Sequence, residues 1–243
     1  TARSGRAFIK LYREERELTV FLVVDDSLSM TTGSPSVSRR DVAIEAAALL
    51  AFASEYNASP VGSVVFDGAV GRVFKPRGGR DHILSLLGDL EQRSRITTGS
   101  ALSGALAGAS RVLRSRALVI VLSDFRTGGY EKALGMLSRK HDVLAVRISS
   151  AQDARLPQAG YLSFRDPETG TVRDYPTSSA AFRTSWEREN REAVSRWEQH
   201  CLRLGVAPLV IQAEEDVGTQ LVSFFSGRYS FTKQRHAGHG DFV

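Results

Sequence analysis

The 243-residue chain has one cysteine, Cys201, so no internal disulfide can form, and its five scattered histidines supply no Cys/His cluster for zinc. A reducing compartment is the expectation. Long hydrophobic runs are missing too. Leu18 to Val24 and Ala117 to Leu122 are interrupted by charge well short of the roughly 20 residues needed to cross a bilayer. The opening TARSGRAFIKLYREERE has no apolar stretch of the secretory kind, which points to a cytoplasmic location. Charge of one sign is not concentrated anywhere. The net charge of +5 comes from 32 basic and 27 acidic residues in mixed patches such as Tyr12 to Glu17, so nucleic-acid binding is not expected. Internal repeats and low-complexity segments are absent.

What is present is 42% hydrophobic and 24% charged residues, enough to bury one large core. Leu18 to Val24 (LTVFLVV) has no polar alternation, as in a central parallel strand covered on both faces, and it ends at two aspartates. Ser38, with Asp41 three residues on, predicts a helix start, and Val42, Ala46, Leu49, Leu50 and Ala53 follow at helical spacing. Val61 to Phe66 and Val70 to Phe74 read as strands joined at Asp67-Gly68. Leu84, Leu87 and Leu90 mark a second helix, and Leu102, Leu106, Ala109 and Leu113 a third. The strand Ala117 to Leu122, a helix from about Tyr130 to Arg139 and the strand Val143 to Ile148 continue the alternation.

From Ser149 to Ser179 the rhythm breaks at an expected hairpin, Tyr161 to Tyr175, turning on residues 166–170. A long helix then places Phe182, Trp186, Ala193, Trp197, Cys201 and Leu204 on one stripe and stops at Gly205. A last strand, Leu209 to Ile211, precedes a helix from about Val217 to Phe225, and a polar tail begins after Gly227. Such strand-helix alternation implies an α/β fold: a doubly wound, mainly parallel central sheet with helices on both faces, right-handed crossovers and a β-hairpin insertion.

In an open parallel sheet, ligands bind beyond the carboxyl ends of the strands. Three polar segments fall there: Asp25-Asp26-Ser27-Leu28-Ser29, Thr97-Thr98-Gly99-Ser100 and Ser123-Asp124. They offer only hard oxygen donors, which suits magnesium, with manganese or calcium as alternatives, and disfavours zinc and copper. Magnesium keeps water or an external oxygen in its octahedron, so the site is expected to stay open. Asp-x-Ser-x-Ser alone is weak, because aspartate and serine also serve turns and caps; the three segments in this order are more specific.

FLVVDDSLSM resembles the first segment of the metal-ion-dependent adhesion site of von Willebrand factor A domains, with Asp25, Ser27 and Ser29 at its three ligand positions. Where that family has a threonine ligand, counting back from Leu106 gives Ser100, with Thr98 as the alternative; Asp124 of VLSDF matches the last aspartate. The opening ARSGRAFIKLYREERELTVFLVVDDSLSM, the FRDPETG turn and LVSFFSGR narrow the resemblance to the bacterial domain-of-unknown-function family number 58, over about residues 2–228. It implies a single von Willebrand factor A-like domain over 1–228, with an N-terminal extension (1–16), a hairpin insertion (about 150–179) and a tail (229–243). It also implies a protein-binding module working with a MoxR-type AAA+ ATPase, in which an acidic residue of a partner reaches the metal. Family members often carry upstream membrane helices, which leaves membrane association of a full-length protein open.

Two rival functions are a scaffold with a vestigial metal site and, less favoured, a magnesium-dependent phosphatase. Haloacid-dehalogenase-type phosphatases need a second aspartate two residues after the first, and here that position is Ser27. With no histidine near the three loops, the chain is not expected to be an enzyme. Among other residues, Asp26 reads as an outer-shell or solvent residue, Asp67 as part of a turn, and Trp186, Trp197 and Cys201 as core. His236 and His239 read as tail residues, and Arg77, Arg80, Arg93 and Arg95 as solvated surface.

Overall fold

The computed structural model describes residues 18–33, 37–92, 99–165 and 170–237, with side chains described up to residue 227 apart from that of Arg165. In chain order the elements are β1 (Val20–Asp25), a 3-10 turn (Leu28–Thr31), α1 (Arg39–Tyr56), β2 (Val61–Phe66), β3 (Val70–Arg77), α2 (Arg80–Glu91) and α3 (Leu102–Val112). They continue as β4 (Leu118–Ser123), α4 (Glu131–Ser138), β5 (Asp142–Ser149), α5 (Ala151–Ala154), β6 (Tyr161–Arg165), β7 (Val172–Pro176), α6 (Ala180–Arg203), β8 (Ala207–Gln212) and α7 (Val217–Ala237).

All six residues of β1 are buried, as its unbroken apolar run requires. Successive side chains alternate between faces. Val20, Leu22 and Val24 enter a core built with α1, α2 and α7, whereas Phe21 and Val23 enter a second core built with α3, α4 and α6. The six-stranded sheet runs β3-β2-β1-β4-β5-β8, and every pairing is parallel except that of the edge strand β3 with β2. Connections thus leave β1 toward β2 on one side and return to β4 on the other, which makes the β1/β4 boundary the switch point where a crevice forms. The α/β class, the doubly wound parallel sheet and the helices on both faces are as predicted. β6 and β7 pair only with each other, as a separate two-stranded sheet.

Local signals hold where the backbone needs them. Ser38 and Asp41 form a reciprocal capping box at the start of α1, with Asp41 N donating to Ser38 Oγ at 3.1 Å and Ser38 N to Asp41 Oδ2 at 3.0 Å. Gly205 follows the end of α6 with φ of +73°, a left-handed conformation open to glycine at little cost. Gly62 is fixed by close approach, since a Cβ there would lie 2.7 Å from Phe74 O and 2.9 Å from Phe21 Cδ2.

Some expectations need correction. The buried stripe of α2 is Ile83, Leu86, Leu87 and Leu90, leaving Leu84 half exposed, and Leu49 on α1 also faces outward. The last helix does not stop near Phe225 but continues to Ala237, because one glycine inside a helix costs only about 1 kcal/mol and Gly227 does not end it. The N-terminal extension (1–16), the centre of the hairpin turn (166–169), Thr97, Thr98, Arg93, Arg95 and His239 lie outside the described residues, as does the side chain of His236.

Asp26 is not a solvent residue. It is buried in an ion pair with Arg40 of α1, whose Nη2 also donates to Leu90 O of α2 at 2.7 Å. One cation thereby ties the end of β1 to two of the helices on that face, α1 and α2. Removing one partner of a buried pair strands the other charge, so Arg40→Met should destabilise the fold by about 3–5 kcal/mol. Adding Asp26→Leu should recover most of that loss; urea unfolding of both variants measures it.

Cys201 is fully buried in the second core, as expected, and burial pushes its thiol up to about 11. At pH 8 the group is then almost entirely protonated and unreactive. It should ignore Ellman's reagent in the native protein and react only when denaturant is added.

Candidate metal centre

The parallel register between β1 and β4 sets Val24 opposite Leu122, so the next residues, Asp25 and Ser123, stand side by side at the switch point. Ser123 Oγ donates to Asp25 Oδ2 at 2.5 Å and accepts from Phe125 N at 3.0 Å. The other oxygen of Asp25 accepts from Ser27 N at 3.0 Å. The chain then turns through the 3-10 segment, which sets Ser27 Oγ and Ser29 Oγ 3.1 Å apart. Asp124 uses Oδ1 to accept from Arg126 N at 3.1 Å, while its Oδ2 is buried without a hydrogen-bond donor.

Phe125, between those residues, has φ of +51°, a strained conformation for a bulky residue. It is held by ring packing with Tyr130 at 5.5 Å and Trp197 at 5.1 Å. Core aromatics therefore hold the backbone that aims Asp124. Ser100 arrives from the opposite side: Gly99 has φ of +96°, and Ala101 N donates to Asp67 O at 2.6 Å. Asp67 serves the β2–β3 turn, as expected, by accepting from Ala69 N at 2.8 Å. It also anchors the Ser100 loop. Ser100 Oγ is buried without a partner.

Asp25, Ser27, Ser29, Ser100 and Asp124 line one cleft of about 710 Å³. The structure thus brings together five of the six predicted positions, and the sixth, Thr98, lies outside the described residues. Two buried oxygens with no donor, Asp124 Oδ2 and Ser100 Oγ, sit among hydroxyls and a second carboxylate. Buried polar atoms are rarely left unpaired, and a hard cation would satisfy both. Among the described residues no group of three or more His, Cys, Asp or Glu gathers for a metal, so any shell here must be completed by hydroxyls and external oxygens. That donor set fits magnesium, manganese or calcium and does not fit zinc.

The electrostatics agree. Burial pushes the Asp25 carboxyl up to about 7; hydrogen bonds from Ser123 and Ser27 oppose this, and the charge of Asp124 adds to it.

Three charged residues at the site were not singled out in the sequence. Arg39 is buried, donates from Nη1 to Ser29 O at 3.0 Å and pairs with Asp153 of α5, pinning the serine loop. Arg126 pairs with the same carboxylate through Nη2 at 2.5 Å, and its Nε is 3.7 Å from Asp124 Oδ2, too far for a hydrogen bond. It flanks the site and does not fill it. Asp153 also caps α5 by accepting from Ser150 N at 3.1 Å. The sequence carried one signal for the first of these. Cations in the first turn of a helix oppose its dipole, so the Arg39-Arg40 pair had to be there for tertiary reasons.

Trp186 is another departure. Unlike Trp197, it is not core: it is partly exposed, lines the cleft and packs against the hairpin residues Phe164 and Tyr175.

A doubly wound sheet whose switch point gathers aspartates and hydroxyls is the arrangement that the resemblance to von Willebrand factor A-type domains implied. The chain belongs to the family described as "Protein of unknown function DUF58", whose model matches residues 1–196. It is 27% identical over 234 residues to uncharacterized protein Rv1480 of Mycobacterium tuberculosis (strain ATCC 25618 / H37Rv), covering 94% of this chain and 73% of that protein. The conserved hypothetical protein BatB from Bacteroides thetaiotaomicron superposes with a TM-score of 0.57 at 19% identity, over 89% of this chain and 99% of that one, which shows a shared fold. The SpRpn10 VWA domain gives a TM-score of 0.47 at 11% identity, over 85% of this chain and 94% of that domain. No helix among the described residues is long and apolar enough to cross a membrane.

A carboxyl whose folded value lies above its unfolded one favours the fold below about pH 4, and that contribution is lost as pH rises through 7. Without divalent ions, Asp25 should therefore cost the fold on the order of 4 kcal/mol at pH 8. Asp25→Asn should be more stable than the native chain in EDTA at pH 8 and close to it at pH 4, read from thermal midpoints.

Proposed function

We propose that this domain is a metal-dependent protein-binding module, in which Asp25, Ser27, Ser29, Ser100 and Asp124 hold one magnesium ion. The observation that carries the reading is the pair of buried, donorless oxygens, Asp124 Oδ2 and Ser100 Oγ, in the same cleft as Asp25. When bound, the ion supplies a Lewis-acidic vertex at which an aspartate or glutamate of another protein can complete the shell. Asp25 and Asp124 bring the negative charge, held to two carboxylates so that the cation keeps its demand for a third. The hydroxyls of Ser27, Ser29 and Ser100 add neutral donors. Arg39 holds the serine loop in place from beneath. The natural working partner, from the family resemblance, is a MoxR-type AAA+ ATPase, with this domain delivering acidic segments in a chaperone-like assembly or maturation step.

A scaffold with a vestigial site is the second reading, and one observation favours it: both oxygens of Asp25 already accept from protein donors, so this carboxylate has hydrogen-bond partners without an ion. Calorimetry separates the two. Magnesium or manganese should bind the native chain with a thermal upshift and should not bind Asp25→Ala. Co-purification with a MoxR-type ATPase should be lost in EDTA and in the same variant. No heat and no upshift with either ion would leave only the scaffold.

A further inference from the structure

The cleft is larger than its candidate metal ligands require. At about 710 Å³ it has the size of a pocket for an entire small ligand, whereas one carboxylate would fill a corner of it. The rest is bounded by the hairpin β6–β7 and by α6. Phe164 and Trp186 stack with ring centres 6.5 Å apart and planes 23° apart, and Tyr175 meets Trp186 edge-on at 5.3 Å. Phe164 is 39% exposed, so this apolar wall is open on the cleft side.

The wall is also anchored to the metal end of the cleft. Trp186 Nε1 and Asn190 Nδ2 both donate to Asp153 O, at 2.8 and 2.7 Å, and the Asp153 carboxylate receives Arg126. Arg126 is 45% exposed and, with one edge engaged by Asp153, has further donors turned to the cleft. A planar guanidinium beside a carboxylate-accepting cation site is suited to the second oxygen of the same incoming carboxylate.

Resting on the metal-dependent reading above, we propose that the cleft recognises a two-residue signature in the partner protein. One residue is acidic and is held by Arg126 as well as by the metal ion. The other, next to it in the partner's chain, is aromatic or large and aliphatic and lies on the wall of Phe164, Tyr175 and Trp186. Charge decides entry at one end and apolar contact decides identity at the other, and the shared Asp153 fixes the distance between the two.

The test uses fluorescently labelled, acetylated pentapeptides in millimolar magnesium, read by anisotropy. They contain glutamate next to tryptophan in either order, glutamate among glycines, or glutamine next to tryptophan. One order of glutamate and tryptophan should bind roughly tenfold tighter than glutamate alone, the gain expected for one aromatic contact. The glutamine peptide should bind at least as weakly as glutamate alone. Phe164→Ser should bring the tryptophan peptide down to the glutamate-only level, and Arg126→Gln should weaken every glutamate peptide. Tyr161→Ser, on the same hairpin strand but outside the cleft lining, should change nothing and so reports that the hairpin tolerates substitution.

Equal affinity for the peptides with and without tryptophan, or no effect of Arg126→Gln, overturns the two-residue signature while leaving the metal reading intact. Failure of all glutamate peptides to show magnesium-dependent binding overturns that reading as well.

Discussion

The contact between Ser123 Oγ and Asp25 Oδ2 is where the fold and the candidate site become one object. It exists because two parallel strands, separated by nearly a hundred residues of sequence, pair in a register that ends both at the same level. A one-residue slip of β4 against β1 would turn its buried faces over, exchanging Val119 and Val121 for Ile120 and Leu122. The packing that forbids the slip therefore also sets the site. Core packing and ligand geometry are consequently not independent: the apolar alternation along β1 and β4 decides where the oxygens stand.

Around that contact the charges are arranged in two tiers. The upper tier holds Asp25 and Asp124, both buried, with the charge of Asp124 adding to the penalty on ionising Asp25. Beneath it, Arg39 and Arg40 enter from the first turn of α1, one toward the serine loop and Asp153, the other toward Asp26. Arg126 stands beside the site, with its Nε 3.7 Å from Asp124 Oδ2.

The fold could be read almost entirely from residue order, because its signals are local and periodic. Unalternated runs gave the buried strands, Ser38 and Asp41 gave the cap, and the serial strand-helix rhythm gave the winding. Three loop segments at strand ends likewise gave the cluster of Asp25, Ser27, Ser29, Ser100 and Asp124 in one cleft. What escaped was set by contacts remote in sequence. Asp26 has an aspartate's ordinary preference for solvent until Arg40 is seen beside it. Trp186 follows the same helical stripe as Trp197, yet a two-stranded hairpin takes the place of the sheet at that end of α6. Gly227 looked like a stop, but isolated glycine is a weak one, and the helix runs past it.

The hairpin forms a ladder of five residue pairs with itself and none with the central sheet. Ring contacts of Phe164 and Tyr175 with Trp186 attach it to α6, and two donors from α6 to Asp153 O tie that helix in turn to α5. The ladder of the central sheet is thus built without the hairpin. Substitution in the hairpin therefore alters one wall of the cleft and leaves the strand pairing of the doubly wound sheet as it is.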